Sequence, residues 1–257
     1  MCLLVMLWRV IPGYPLVVAS NRDEWLERPA VAMTSLSEAP RIRGGRDQRA
    51  GGTWLATSES GLVAGLTNVP MIAPPAVPKR SRGELPLLLA RSPGALDAAR
   101  ALQSSIRSEE FNPCWILCGD REALAYIDLS TAGRPRVESL APGIHVLENH
   151  PLGPSPKSDF VRAFLGNPPG ELDALTHRLE SLLASHEIPH RAGARGAARP
   201  LETGAACVHA GPYGTRSAQI VVVSDRGAPR IRFTAGPSCT NPWQELPAEL
   251  RFPVEDV

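Results

Sequence analysis

The sequence predicts an α+β layered fold, with antiparallel sheets and helices packed outside them. Three observations predict it. Strand-like and helix-like segments come in separate runs, in the order strands, helices, strands, helices, strands, and not in the one-by-one alternation of a βαβ fold. The first two strand-like segments are almost continuously apolar, which suits strands covered on both faces. Pro 26 and Gly 22 exceed average usage and favour turns over a helical bundle.

Taken in order, residues 3–8 (LLVMLW) and 16–19 (LVVA) read as two strands joined by a turn of about five residues, Ile11-Pro12-Gly13-Tyr14-Pro15. After Arg28-Pro29 the chain reads as irregular. Residues 53–57 and 62–67 then flank the turn Ser58-Glu59-Ser60-Gly61, a hairpin with good turn chemistry. The proline-rich segment 71–81 reads as an exposed loop. RGELPLLLA (82–90) and PGALDAARALQSSI (93–106) read as helices broken at Ser92-Pro93-Gly94. CWILCGD, ALAYIDL and GIHVLEN return to strands. PKSDFVRAFLG and GELDALTHRLESLLASH are helical, the second with Leu172, Leu175, Leu179, Leu182 and Leu183 on one face. Residues 188–204 have no periodicity and read as a mobile loop. The last strands pair through a hairpin at residues 224–229, and no internal repeat is found.

The 257 residues suffice for a proper core, and one domain over 1–257 is expected. The hydrophobic fraction of 43% and charged fraction of 21% are those of an ordinary soluble globular protein. A net charge of +1 leaves no global field to draw nucleic acid or an anionic membrane. The apolar stretch at 3–8 is too short for a signal peptide, and no stretch approaches the ~18 apolar residues of a membrane span. Five scattered cysteines, an odd number, point to a reducing, cytoplasmic setting.

Two short stretches carry chemistry. Cys2 stands second, and a residue that small permits removal of Met1, which gives one residue both a thiol and a free α-amine. An ordinary buried strand cysteine is the other reading. SNRDE at 20–24 sets an amide, a guanidinium and two carboxylates at the end of an apolar strand; it reads either as a solvated turn or as a polar site. Antiparallel pairing of the first two strands returns Asp23 to the start of the chain, beside Cys2. A thiol of pKa ~8.5 needs a base, and an α-amine of pKa ~7.7–8 can take its proton. A carboxylate such as Asp23 then orients the amine, and an arginine favours the thiolate.

MC at the start, NRDE at 21–24, GGTW at 51–54, GLTN at 65–68, RGEL at 82–85 and YGTR at 213–216 run in order along nearly the whole chain. In these motifs the chain resembles the NRDE-domain family, also called the transport and Golgi organisation 2 family. That family is similar to N-terminal-nucleophile cysteine hydrolases of the penicillin V acylase and bile-salt hydrolase type. The resemblance implies a four-layer α–β–β–α sandwich of two antiparallel sheets. It implies Cys2 as nucleophile after loss of Met1, Asp23 as holder of its amine, and Arg22 as the cation beside the thiolate. AGLTN and VLENHP resemble the acylases' amide-bearing strand ends, which gives Asn68 and Asn149 as oxyanion donors. TRSAQIVVVSD resembles the late strand with a structural or catalytic arginine, here Arg216. The implied activity is hydrolase or acyltransferase chemistry on a small amide, ester or thioester. The alternative, drawn from the family's links to haem trafficking, lipid and acyl-CoA metabolism and membrane traffic, is a carrier or chaperone of an apolar ligand such as haem.

The remaining candidates read as structural. Cys114 and Cys118 share one strand face and suit core packing. Cys207 and His209 share a strand face as a core or edge pair, and His177, His186 and His190 read as solvated. The glycines of GGRDQRAGG lack the strand–helix context of a phosphate loop, and no CxxCH marks covalent haem. No metal and no resident cofactor are expected.

Overall fold

The computed structural model describes residues 3–70, 78–189 and 201–253. The chain opens with β1 (Leu3–Ile11) and β2 (Tyr14–Trp25), an antiparallel pair running from Leu3 opposite Asn21 to Ile11 opposite Tyr14. The connection is therefore Pro12-Gly13, shorter than the five-residue turn expected. Gly13, at φ 79°, supplies the left-handed conformation that lets two residues reverse the chain.

One sheet comprises β3 (Ala30–Glu38), β4 (Arg41–Asp47), β5 (Leu55–Ser58), β6 (Val63–Asn68), β7 (Cys114–Gly119), β8 (Leu124–Asp128) and β9 (Arg136–Ser139), in that spatial order. The stretch after Arg28-Pro29, expected to be irregular, is thus the β3–β4 hairpin. Its sequence, AVAMTSLSE, belongs to a half-exposed edge strand, where nothing enforces a clean apolar alternation.

The other sheet adds β10 (Gly143–Leu147), β11 (His209–Ala210), β12 (Tyr213–Val223), β13 (Arg230–Thr234) and β14 (Gln244–Glu245) to the first hairpin. Its order is β10-β1-β2-β12-β13-β14, with β11 on β12. SNRDE is not a turn: β12 runs along the other edge of β2, pairing Tyr213 with Trp25, Thr215 with Asp23 and Ala218 with Asn21. The backbone of the polar stretch is held in a ladder, and strand continues where composition alone suggested an end.

Four helices form the outer layers among the described residues. Helices α1 (Glu84–Ala90) and α2 (Ala95–Ser105) lie on the β3–β9 sheet, where Leu85, Leu89, Ala99 and Leu102 pack with Ile42, Ile116 and Cys118. Helices α3 (Pro156–Leu165) and α4 (Leu172–Leu183) lie on the other sheet. There Val161, Leu165, Leu175, Leu179, Leu182 and Leu183 meet Leu3, Val5, Leu7 and Val17. Between the sheets Leu4, Met6, Trp8, Leu16 and Val18 pack with Trp54, Leu55, Val63, Trp115 and Leu117. The result is a four-layer α–β–β–α sandwich, as expected. No helix among the described residues is long and apolar enough to cross a membrane.

The period of two decides where polar groups point. In β1 the odd residues face α3 and α4, and the even ones face the space between the sheets. In β2, Val17 and Ala19 face the helices, and Leu16 and Val18 face the other sheet. Continued along SNRDE, this sets Asn21 and Asp23 toward the helices and Arg22 between the sheets.

Candidate active site

Asp23 is buried, only 3% exposed, and two strands hold it. Its Oδ1 accepts a hydrogen bond from Thr215 Oγ1 at 2.6 Å, and its backbone oxygen accepts from the Tyr213 hydroxyl at 2.9 Å. Thr215 Oγ1 in turn accepts from the Val208 N–H at 2.9 Å, which fixes the hydroxyl as donor to the carboxylate. Burial pushes the Asp23 carboxyl up; the charges of Lys157 and Arg22 and the Thr215 hydrogen bond pull against it without cancelling it.

Lys157 was not legible as a site residue in the sequence. It sits in the first turn of α3, behind the Ser155 cap, and is 2% exposed. Its Nζ has no hydrogen-bond partner among the described residues. A buried ammonium near a buried carboxylate is costly on its own, and both groups belong to the helix side of the β1–β2 sheet.

Arg22 occupies the opposite face. Its Nη2 lies 3.2 Å from Asp47 Oδ2 and 3.9 Å from a Glu24 oxygen, and its Cζ stands 4.4 Å over the Trp54 ring. Arg28 Nε also donates to Asp47 Oδ2, at 2.6 Å. Burial pushes the Asp47 carboxyl up, but the Arg28 hydrogen bond, the Ala50 N–H and the charges of Arg28 and Arg22 outweigh it and hold it below the usual range. Two glycines of the motifs around it are close-packed. A Cβ at Gly45 would lie 2.0 Å from the Trp54 ring, and one at Gly52 would lie 2.5 Å from the Gly83 backbone. GGTW and RGEL thus meet directly, with the Thr53 N–H donating to Gly83 O at 3.0 Å.

Arg216 is the extra residue of a β-bulge: Thr215 pairs with Asp23 and Ser217 with Arg22, leaving Arg216 between them. The bulge re-aims its side chain, and Nη1 donates to the Trp25 and Leu26 carbonyls. Arg22, Arg216, Trp54, Leu26, Ala30 and Ala32 line a cavity of about 240 Å³.

The two asparagines come from different sheets, Asn68 from the end of β6 and Asn149 from just after β10. The structure brings them into contact, with Asn149 Nδ2 donating to the Asn68 carbonyl. Beside Asn68, Thr67 pairs across the strands with Trp115, and both face the inter-sheet space. Thr67 Oγ1 and Trp115 Nε1 are buried without hydrogen-bond partners among the described residues. Sequence reasoning passed over both, although Thr67 stands inside GLTN.

Met1 and Cys2 lie outside the described residues, as do residues 71–77 of the proline-rich loop and 190–200 of the loop expected to be mobile. What is described is the entry to β1: Leu3 opposite Asn21, with Arg22 and Asp23 next along the neighbouring strand. Cys114 and Cys118 are buried on α2's side of β7, and burial pushes the Cys114 thiol up to about 12, the mark of an inert core cysteine.

Among the described residues, two seven-stranded antiparallel sheets between helix layers give the chain an N-terminal-nucleophile hydrolase-like fold. The chain is similar over 96% of its length to the whole of a Caenorhabditis elegans N-acylethanolamine-hydrolyzing acid amidase ortholog, with a TM-score of 0.54 and 12% identity. It is similar over its full length to a variant of a conjugated bile acid hydrolase from Clostridium perfringens, covering the whole of that chain with a TM-score of 0.52 and 11% identity. Likeness at such identity is likeness of fold. The sequence itself goes further: residues 1–234 match the Transport and Golgi organisation 2 family, and the chain belongs to that family. A Bos taurus Transport and Golgi organization protein 2 homolog is 29% identical over 245 residues, covering 86% of each chain. A Mus musculus homolog is 29% identical over 247 residues, with the same coverage.

Proposed function

We propose that the protein is a cysteine N-terminal-nucleophile hydrolase or acyltransferase acting on a small amide, ester or thioester after removal of Met1. The observation that carries the reading is the buried Asp23, held on one oxygen by Thr215, on the strand that pairs with the first residues of β1. The reading requires the alternation of β1 to run one residue further. It also requires the Cys2 thiol on the inter-sheet side with Arg22 and the α-amine within reach of Asp23.

The amine takes the thiol proton, and the thiolate attacks the substrate carbonyl carbon. Negative charge develops on the carbonyl oxygen and is met by an N–H of Asn149 or Asn68, two residues that already touch. Collapse expels the amine, alcohol or thiol leaving group, which takes the proton back from the α-ammonium. Water or an acceptor then attacks the acyl-cysteine. Arg22 favours the thiolate, and Arg216 lines the cavity that receives the substrate.

A second reading, carriage of an apolar ligand such as haem or an acyl-CoA without turnover, has one observation in its favour. Leu26, 49% exposed, lines the cavity with Ala30, Ala32 and Trp54 and gives it an apolar side beside its two arginines. Cys2→Ser and Asn149→Ala, assayed against a panel of acyl amides and thioesters with haem binding measured in parallel, separate the two. Enzyme chemistry predicts a rate loss of ~10²–10³ for Asn149→Ala and a larger one for Cys2→Ser. Unchanged turnover in both, with tight haem binding by the wild type, would leave only carriage.

A further inference from the structure

Behind the candidate site, four residues that the sequence scattered as core and surface come together. His186 follows α4, Cys207 precedes β11, His209 is the first residue of β11, and Cys239 lies in the loop after β13. One ligand atom from each lies within 4.8 Å of the others. The two sulfurs are 3.5 Å apart, and His209 Nε2 is 3.2 Å from Cys239 Sγ and 3.9 Å from Cys207 Sγ. The His186 and His209 ring centroids are 5.1 Å apart.

These are the edges of a small tetrahedron. Metal–sulfur bonds of about 2.3 Å and metal–nitrogen bonds of about 2.0 Å give sulfur–sulfur edges of about 3.8 Å and sulfur–nitrogen edges of about 3.5 Å. The His186 ring is also pre-set: its Nδ1–H donates to Cys207 O at 3.1 Å, so Nε2 carries the lone pair. Core packing does not explain the set, because His186 and His209 are exposed and Cys239 only half-buried. Two thiols and two imidazoles in this arrangement select zinc over magnesium or calcium.

We propose that His186, Cys207, His209 and Cys239 form a structural zinc site that clamps the end of α4, the start of β11 and the loop after β13. Binding releases the two thiol protons, and the dication neutralises the two thiolates. The clamp stands directly behind Asp23. Val208, between ligands Cys207 and His209, donates its N–H to Thr215, and Thr215 donates to Asp23. On the other side of Cys207, the Ala206 carbonyl accepts from Asn21 Nδ2 at 2.8 Å. The site therefore fixes the wall against which SNRDE is registered, whatever reaction the protein performs.

The untagged full-length chain, grown with zinc and purified under reducing conditions without chelator, tests this by elemental analysis. About one zinc per chain is expected, falling tenfold or more in Cys239→Ser and in His186→Ala, with circular dichroism unchanged. Cobalt(II) added to the metal-free chain is expected to give thiolate-to-metal charge transfer and the intense visible bands of a tetrahedral site, both weakened in the variants. If the variants do not fold, the wild-type cobalt spectrum decides. A wild-type chain without zinc that gives only the weak spectrum of octahedral cobalt would overturn the proposal. So would metal content undiminished in two folded variants, or a Cys207–Cys239 disulfide trapped by alkylation at lysis.

Discussion

On the helix side of β2, Asn21 and Asp23 are tied within their own half of the molecule; on the inter-sheet side, Arg22 reaches across to the other sheet. Asn21 Nδ2 spans the Leu183 and Ala206 carbonyls, both at 2.8 Å, so one amide joins the end of α4 to the approach to β11. Asp23 is fixed by Thr215 of β12. Arg22 instead meets Asp47 of β4 and the ring of Trp54. Consecutive strand residues point to opposite faces, so a run of three polar residues holds its own sheet-and-helix half and bridges to the other. The two faces should therefore fail differently. At Asn21 the hold is neutral hydrogen bonding to fixed carbonyls, and at Arg22 it is compensated charge.

Three substitutions separate these modes of holding. The largest effect is expected from Asp23→Asn, which keeps shape and removes charge: a rate loss of ~10²–10⁴ if the carboxylate holds the α-amine. Its stability should move the other way. Burial raises the folded Asp23 carboxyl above its unfolded value, so the ionised group penalises the folded state at neutral pH. That penalty fades as pH falls through the folded value and is gone below the unfolded value of roughly 3.9. The stability of Asp23→Asn relative to wild type should therefore be highest at neutral pH and decline on acidification, as read by denaturant melts across pH. A difference that does not change with pH would mean that Asp23 is not a buried titrating group.

Asn21→Ala comes next. It strips the donor from two buried carbonyls and is expected to cost about 2–4 kcal/mol of stability, seen as a lower denaturant midpoint. A loss under about 0.5 kcal/mol would show that the two carbonyls find other donors. Arg22→Lys should do least, about 1–2 kcal/mol, because the charge near Asp47 remains while the planar stack on Trp54 is lost. The difference between its melt and that of wild type should be nearly independent of pH above the acid range, unlike the difference for Asp23→Asn.

The legible parts of the fold are those where burial imposes a period. The first hairpin, the two helix pairs and the leucine face of α4 follow from apolar spacing, and Leu175, Leu179, Leu182 and Leu183 are buried as read. β3 and the short strands β9 and β14 escape such a reading because exposed edge residues carry no such pattern, and β4 escapes it because three of its four buried residues are Arg43, Gly44 and Gly45. Around Asp23 and Arg22, the motifs give residue types but not geometry. GGTW and RGEL are close-packed backbone, which the sequence shows only as glycine. Lys157, Thr67 and Trp115 stand out because they are buried without hydrogen-bond partners among the described residues, a property created by tertiary packing. The Cys–His cluster draws ligands from three separate segments, so the sequence shows only the Cys207–His209 half of it as a local spacing.

The proposed chemistry stands or falls on the residue that precedes Leu3. Intact-mass spectrometry of the untagged protein, before and after exposure to a panel of acyl amides and thioesters, addresses that residue itself. The expected result is a mass without Met1 and a transient acyl adduct localised to Cys2, absent in Cys2→Ala and long-lived where deacylation is slowed. A native preparation that retains Met1, or a processed chain in which Cys2 accepts no acyl group from any substrate, would contradict it.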